Sequence, residues 1–208
     1  EISVVDCNVL MRDGTSVVES AVLPVSRTQR RIIGALALHL LIVIPLAVTL
    51  NLGTDEGFSL ATTSGSLSDS IQGALKFELQ PPFYFAALKL WRSVFGDSIF
   101  AARMLSVSCA FTAVLMAAQI STRYLPRVHA PRLVAVLALH PFVIWSAVEI
   151  RLYAMMLLIS VLQLITFHDG FLRTADRCPK ADLLPARRSR MWYVVLATVG
   201  LYTHYFSG

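Results

Sequence analysis

Apolar residues in this chain gather into long runs instead of recurring as a stripe on otherwise polar helices. Five stretches, 32–50, 104–122, 133–148, 152–168 and 191–208, contain no Asp, Glu, Lys or Arg, whereas a helix on a soluble domain sets a charged face opposite its apolar one. Crossing about 30 Å of hydrocarbon takes roughly 20 apolar residues at 1.5 Å each, and all five runs come near that length. The pattern predicts an all-α fold, a polytopic transmembrane helical bundle of about five spans. The two shorter runs, 133–148 and 152–168, fit with little tilt or a locally thinned bilayer. Pro45 and Pro141 fall inside the first and third runs, where a missing backbone donor is expected to kink the helix.

Composition agrees: 56% of residues are hydrophobic and only 15% are charged, a balance suited to lipid as the main solvent. The net charge of +5 does not mark a nucleic-acid binder, because the arginines flank apolar runs instead of forming one basic face. Cys7, Cys109 and Cys178 are far apart, with neither metal-ligand spacing nor a disulfide framework.

The cations between the runs set the orientation. Arg12, Arg27, Arg30 and Arg31 precede the first run, Arg123, Arg127 and Arg132 separate the second from the third, and Arg173, Arg177, Lys180, Arg187, Arg188 and Arg190 separate the fourth from the fifth. Alternating spans put all of these on one side, cytoplasmic by the positive-inside rule, and leave Lys76, Lys89, Arg92, Arg103 and Arg151 for the other. Residues 1–30 are then a cytoplasmic tail, without the apolar core of a cleavable signal. Residues 31–208 are a membrane domain, read as the N-terminal part of a longer protein since the chain stops at Gly208 straight after an apolar run. Residues 173–190 form a cytoplasmic linker.

Two connections face outward: a long loop, 51–103, and a short turn around 149–151. The long loop has a Ser, Thr and Gly-rich stretch over 61–73, then Gln80-Pro81-Pro82. Pro82 suits the first turn of a helix, and Phe83, Ala87, Leu90, Trp91 and Val94 make an apolar stripe opposite Lys89, Arg92 and Ser93, which predicts an amphipathic helix lying in the interface.

These outer segments hold the candidate chemistry. Asp55 and Glu56 follow the first run closely; adjacent carboxylates either hold a divalent cation, take a proton from an acceptor hydroxyl, or stand as a solvated acidic pair. Glu149, Arg151 and Tyr153 flank the short turn. Arg151 is suited to clamp a phosphate with its planar fork, or else to form a local ion pair with Glu149. His204, near the outer end of the fifth run, is a donor to a phosphate or a sugar hydroxyl, while His39, His140 and His168 are read as structural. Asp55, Glu56, Gln80, Glu149, Arg151 and His204 all come to one side of the membrane at similar depth. A lipid-headgroup enzyme needs such a pocket, and so does a transporter or flippase for a lipid-linked sugar that performs no chemistry.

Asp55-Glu56 after a first span, Gln80-Pro81-Pro82-Phe83-Tyr84 leading into Leu88-Lys89-Leu90-Trp91 and Phe95-Gly96, and Ala102-Arg103-Met104-Leu105-Ser106 opening the next span resemble membrane glycosyltransferases of the GT-C class. Glu149-Ile150-Arg151-Leu152-Tyr153-Ala154 and Gly200-Leu201-Tyr202-Thr203-His204-Tyr205-Phe206 continue the resemblance in order, over about residues 30–208. It is nearest to the family of dolichyl-phosphate-mannose-protein mannosyltransferase-like and lipid-A aminoarabinose-transferase-like proteins.

The resemblance implies amphipathic interfacial helices in the first outer loop, a polyprenyl-phosphate-linked sugar as donor, a glycan, lipid or protein acceptor, and a divalent cation such as Mg or Mn, without a nucleotide cofactor. It implies a bacterial inner-membrane enzyme acting on the periplasmic or extracellular face. Asp55 becomes the general base of an inverting transfer and Glu56 its support or a metal ligand. Gln80, Tyr84, Lys89, Arg103, Glu149, Arg151, Tyr153, His204 and Tyr205 become substrate-binding candidates. Many relatives have His where this chain has Gln80, so the resemblance gives that position no proton-transfer role.

Overall fold

The structure, a computed structural model, describes residues 26–126, 129–172 and 183–205, apart from the side chains of 183–185. Every regular element among the described residues is a helix. Helix α1 spans Arg27–Thr49 and begins before the first apolar run because Ser26 and Gln29 cap it reciprocally, Gln29 N donating to Ser26 Oγ at 3.2 Å and Ser26 N to Gln29 Oε1 at 2.8 Å. Arg27 and Arg30 therefore belong to its opening turns and not to the expected tail, of which residues 1–25 lie outside the described residues. Pro45 leaves α1 continuous.

Helices α2 (Thr54–Thr62), α3 (Leu67–Gly73, prolonged as a π-turn over Ala74–Glu78) and α4 (Phe83–Phe95) build the long connection. Ser66 caps α3 by accepting from Asp69 N, which turns part of the Ser, Thr and Gly-rich stretch into helix. The expected helix after Pro82 is present as α4, but it is rolled differently. Its buried face is Tyr84, Phe85, Leu88 and Arg92, while Phe83, Leu90, Val94 and Phe95 point outward. Arg92, expected on the polar side, is buried because it donates to Leu60 O at 2.9 Å and Thr63 Oγ1 at 2.6 Å and pairs with Asp97 at 2.9 Å, pinning α4 to the end of α2.

Helix α5 (Ile99–Tyr124), capped by Ser98, runs through the middle of the bundle and packs on α1 and α4, and on the helices that follow it. Its buried positions include Ala102, Ser106, Ala110, Ala113, Ala117 and Ala118; small residues let helix backbones approach closely where lipid supplies no hydrophobic drive between helices.

The third apolar run is two helices, α6 (Ala130–Ala138) and α7 (Pro141–Val148), meeting at 50°. Pro141 opens α7 where its missing N–H costs least. The groups freed at the break find side chains: His39 Nδ1 donates to Ala138 O at 2.7 Å, and His140 Nδ1 accepts from Phe142 N at 3.2 Å. Both histidines are structural, as the sequence indicates.

Helix α8 (Tyr153–Phe167) extends as a π-turn over His168–Leu172, and α9 spans Leu183–Thr203. Helices α1, α5 and α8 with its extension are long and apolar enough to cross a membrane, and α6 with α7 would make a fourth crossing if counted together. Helix α9 runs from the same end as the close of α8 to α4, but Arg187, Arg188 and Arg190 occupy its first turns, so among the described residues the apolar part of the expected fifth span is shorter than a bilayer's width. Of the expected linker, 173–182 lie outside the described residues and 183–190 are helix.

Apolar side chains cover the outside of the bundle; Leu41 is 71% exposed and Val48 63%, the inverse of a protein folded in water. Charge separates by end. Tyr124 Oη donates to Asp169 Oδ1 at 2.8 Å and Arg190 Nε to Gly170 O at 2.8 Å, so the start of α1, the end of α5, the start of α6, the end of α8 and the start of α9 share one end. Arg27, Arg30, Arg31, Arg123, Arg132, Arg187, Arg188 and Arg190 are exposed there, with Asp169 the single acid among the described residues. The other described acids, Asp55, Glu56, Asp69, Glu78, Asp97 and Glu149, lie at the opposite end.

Candidate functional site

The acidic end is organised by a buried ion pair. Glu56 is at the third position of α2, where its carboxylate turns back to accept from Gly53 N at 2.8 Å. Arg103, in the second turn of α5, meets it with the full edge of its guanidinium, Nε to Oε1 at 3.0 Å and Nη2 to Oε2 at 2.8 Å. The remaining Arg103 donors cap the end of α1 through Ala47 O, Leu50 O and Asn51 O at 3.1, 2.8 and 2.9 Å. Ile150 N adds a fourth bond to Glu56 at 3.1 Å and ties down the turn before α8. Both side chains are 2% exposed. Burial by itself pushes the Glu56 carboxyl up, but the Arg103, Gly53 and Ile150 hydrogen bonds outweigh it and hold the group below its ordinary value.

Anchored in this way, the turn carries Arg151 against the first turn of α2. Arg151 Nη2 pairs with Asp55 Oδ2 at 3.1 Å, and Nη1 donates to Glu78 Oε2 at 3.2 Å and Ser59 Oγ at 3.4 Å. Asp55 is 65% exposed, Arg151 16% and Glu78 7%, so the guanidinium separates a solvent-facing carboxylate from a buried one. Burial lowers the proton affinity of Arg151, and Asp55 and Glu78 more than restore it. The alternative of a local Glu149 to Arg151 pair is not formed. Glu149 is half-buried, its carbonyl accepts from Ser106 Oγ at 2.6 Å, and its carboxyl is pushed up by burial and then by the charge of Glu56, against the pull of Arg103 and Arg151.

Tyr84 is buried beneath this cluster, and burial raises its phenol further above the usual range. Gln80 Oε1 is buried without a hydrogen-bond partner among the described residues. Lys89 is half-buried on α4 and makes no hydrogen bond or ion pair among the described residues. The ring of Tyr153 stacks at 4.9 Å on Trp145. His204 and Tyr205 follow the last turn of α9, which reaches the same end beside α4; Tyr202 there lines an apolar cavity of about 240 Å³ with Ile71, Pro82, Phe83 and Ala86.

Asp55, Glu56, Arg103 and Arg151 are thus joined in one network, with Glu149 and Tyr84 within electrostatic reach. Sequence reasoning missed Glu78 and Ser59. Glu78 is the only acid between Asp69 and Asp97, and a lone carboxylate in the segment that leads to Gln80-Pro81-Pro82 is the signal that points to it. The backbone aims it: the π-turn ends at Leu79, whose φ of 53° is left-handed, and Gln80 N closes the turn on Ala74 O at 3.0 Å.

Asp55 and Glu56, the expected divalent-cation ligands, both have protein partners. Among the described residues no three His, Cys, Asp or Glu side chains gather around one point; Glu56 has both oxygens committed, and Asp55 faces a cation already present, the Arg151 guanidinium. Comparison with family models, with curated proteins and with solved structures finds no match to this chain.

Proposed function

We propose that this protein is a membrane glycosyltransferase that moves a sugar from a polyprenyl-phosphate donor to a glycan, lipid or protein acceptor on the outer face of a bacterial inner membrane. The observation that carries the reading is the Asp55 to Arg151 pair, an exposed carboxylate touching a mostly buried guanidinium at the acidic end of an apolar bundle. Inverting transfer needs a base at the acceptor oxygen, which removes its proton as the new glycosidic bond forms, and a cation on the opposite face of the anomeric carbon, which takes up charge as the phosphate leaves. Asp55 is the base, Arg151 the phosphate ligand, and Glu56 with Arg103 the frame that sets their spacing. The arginine-rich end is cytoplasmic under the positive-inside rule, which leaves the pair outside. The resemblance of the motifs around both residues to GT-C enzymes supports the same assignment.

A transporter for the same lipid draws on one observation, the broken α6–α7 helix, since discontinuous spans are common in transporters. Asp55→Asn separates the two. In the full-length protein, sugar transfer from a panel of polyprenyl-phosphate sugars falls by about 10²–10⁴-fold if Asp55 is the base. Transfer at the normal rate removes the catalytic assignment.

A further inference from the structure

The two buried-edge arginines are used unequally. Arg103 spends the whole Nε–Nη2 edge of its fork on Glu56. Arg151 offers the same edge to Asp55 but makes only the Nη2 half of the contact, and its Nε is buried without a partner among the described residues. Its opposite side is better held, with Nη1 on Glu78 and Ser59, both buried. The bond to Asp55 is therefore the weak one: single, with an exposed partner and with an unmet donor beside it.

We propose that Arg151 exchanges partners when the donor binds: a phosphate headgroup takes the Nε–Nη2 edge with two oxygens, Glu78 and Ser59 keep Nη1 seated, and Asp55 is released to the acceptor. This rests on the polyprenyl-phosphate reading and adds how the base is controlled. Phosphate is suited to the exchange because its oxygens match the fork bidentately, where Asp55 meets it through one. Once released, Asp55 has lost a cation and gained an anionic neighbour, with Glu149 also within electrostatic reach. In the free protein the guanidinium occupies one of its oxygens, and after the exchange both face the acceptor. Glu78 is in this scheme a positioning residue, keeping the guanidinium at the site while its other side changes hands.

The test is the reactivity of Asp55 toward a carbodiimide, which attacks protonated carboxyls, followed by mass spectrometry of the full-length protein in detergent. Farnesyl phosphate is the probe, with farnesol and inorganic phosphate as controls. Farnesyl phosphate is expected to speed labelling of Asp55 by about tenfold as the carboxylate leaves the guanidinium, while farnesol leaves it unchanged. Arg151→Lys keeps the charge but has no fork, so labelling stays slow with and without farnesyl phosphate; Arg151→Gln labels fast under both conditions. If farnesyl phosphate raises the melting temperature of the protein yet leaves Asp55 labelling unchanged or slower, the exchange is wrong and the donor reading stands. No thermal shift with farnesyl phosphate overturns both. An equal rise with inorganic phosphate overturns the lipid headgroup as the specific trigger.

Discussion

Asp55 Oδ2 and Arg151 Nη2 lie 3.1 Å apart although one belongs to the first turn of α2 and the other to the turn before α8. Neither position is fixed by its own segment. Ile150 N, one residue before Arg151, donates to the side-chain Oε1 of Glu56, one residue after Asp55, at 3.1 Å, so a bond between the neighbouring residues sets the Asp55 to Arg151 contact. A chemical pair and its scaffold are interleaved residue by residue.

Glu56→Gln should leave Arg103 as a buried, uncompensated charge and cost about 3–5 kcal/mol of stability. Adding Arg103→Met should recover only part of this, because the caps on Ala47, Leu50 and Asn51 go with the guanidinium. Thermal unfolding of the three proteins in one detergent checks both statements. Equal stability of Glu56→Gln and wild type would contradict the buried network.

Acid should destabilise the protein through Glu56. Its proton affinity is lowered on folding, so its contribution is present above the unfolded value near 4.5 and is lost as pH falls through the lower folded value. Glu149 has the opposite sign: its folded value is raised, so its contribution is present in acid and is lost as pH rises through the window just above 4.5. A pH series of melting temperatures, repeated with Glu56→Gln, should lose the acid-side drop in the variant. Carbodiimide applied just above pH 4.5 should modify Glu149 and spare Glu56.

Ser66→Cys and Arg188→Cys, in a background with the native cysteines replaced by Ser, test the orientation. An impermeant maleimide should label position 66 from outside intact cells and position 188 only after the cytoplasm is opened. The reverse pattern would separate the site from outer-face acceptors.

His39→Leu removes the donor to Ala138 O at the α6–α7 break. Leaving that carbonyl unmet in the bundle should cost about 1–3 kcal/mol, read as a lower melting temperature without loss of membrane insertion.

Long apolar runs made α1, α5 and α8 legible, because span length is set by bilayer thickness and is read from composition alone. The break at His140 was only half visible: Pro141 marks it, but whether a proline bends a helix depends on what meets the freed groups, and Pro45 in α1 does not. The roll of α4 was misread since two of its faces are apolar and periodicity cannot rank them; Arg92 decides, through partners in another helix. The gathering of Asp55, Glu56 and Arg151 followed from topology. The division of labour between the two acids did not, because it depends on which carboxylate Arg103 reaches, a contact between residues far apart in the chain.

Arg103 holds the exit of α1, the entrance of α2 and, through Glu56, the turn into α8. Segments that share one clamp have no separate opening equilibria, so amide exchange at residues 53, 56 and 150 should slow and quicken in step. The outer layer would then loosen as a single cooperative unit, and a perturbation felt at the acidic loop would register at the distant turn without any movement of the spans between.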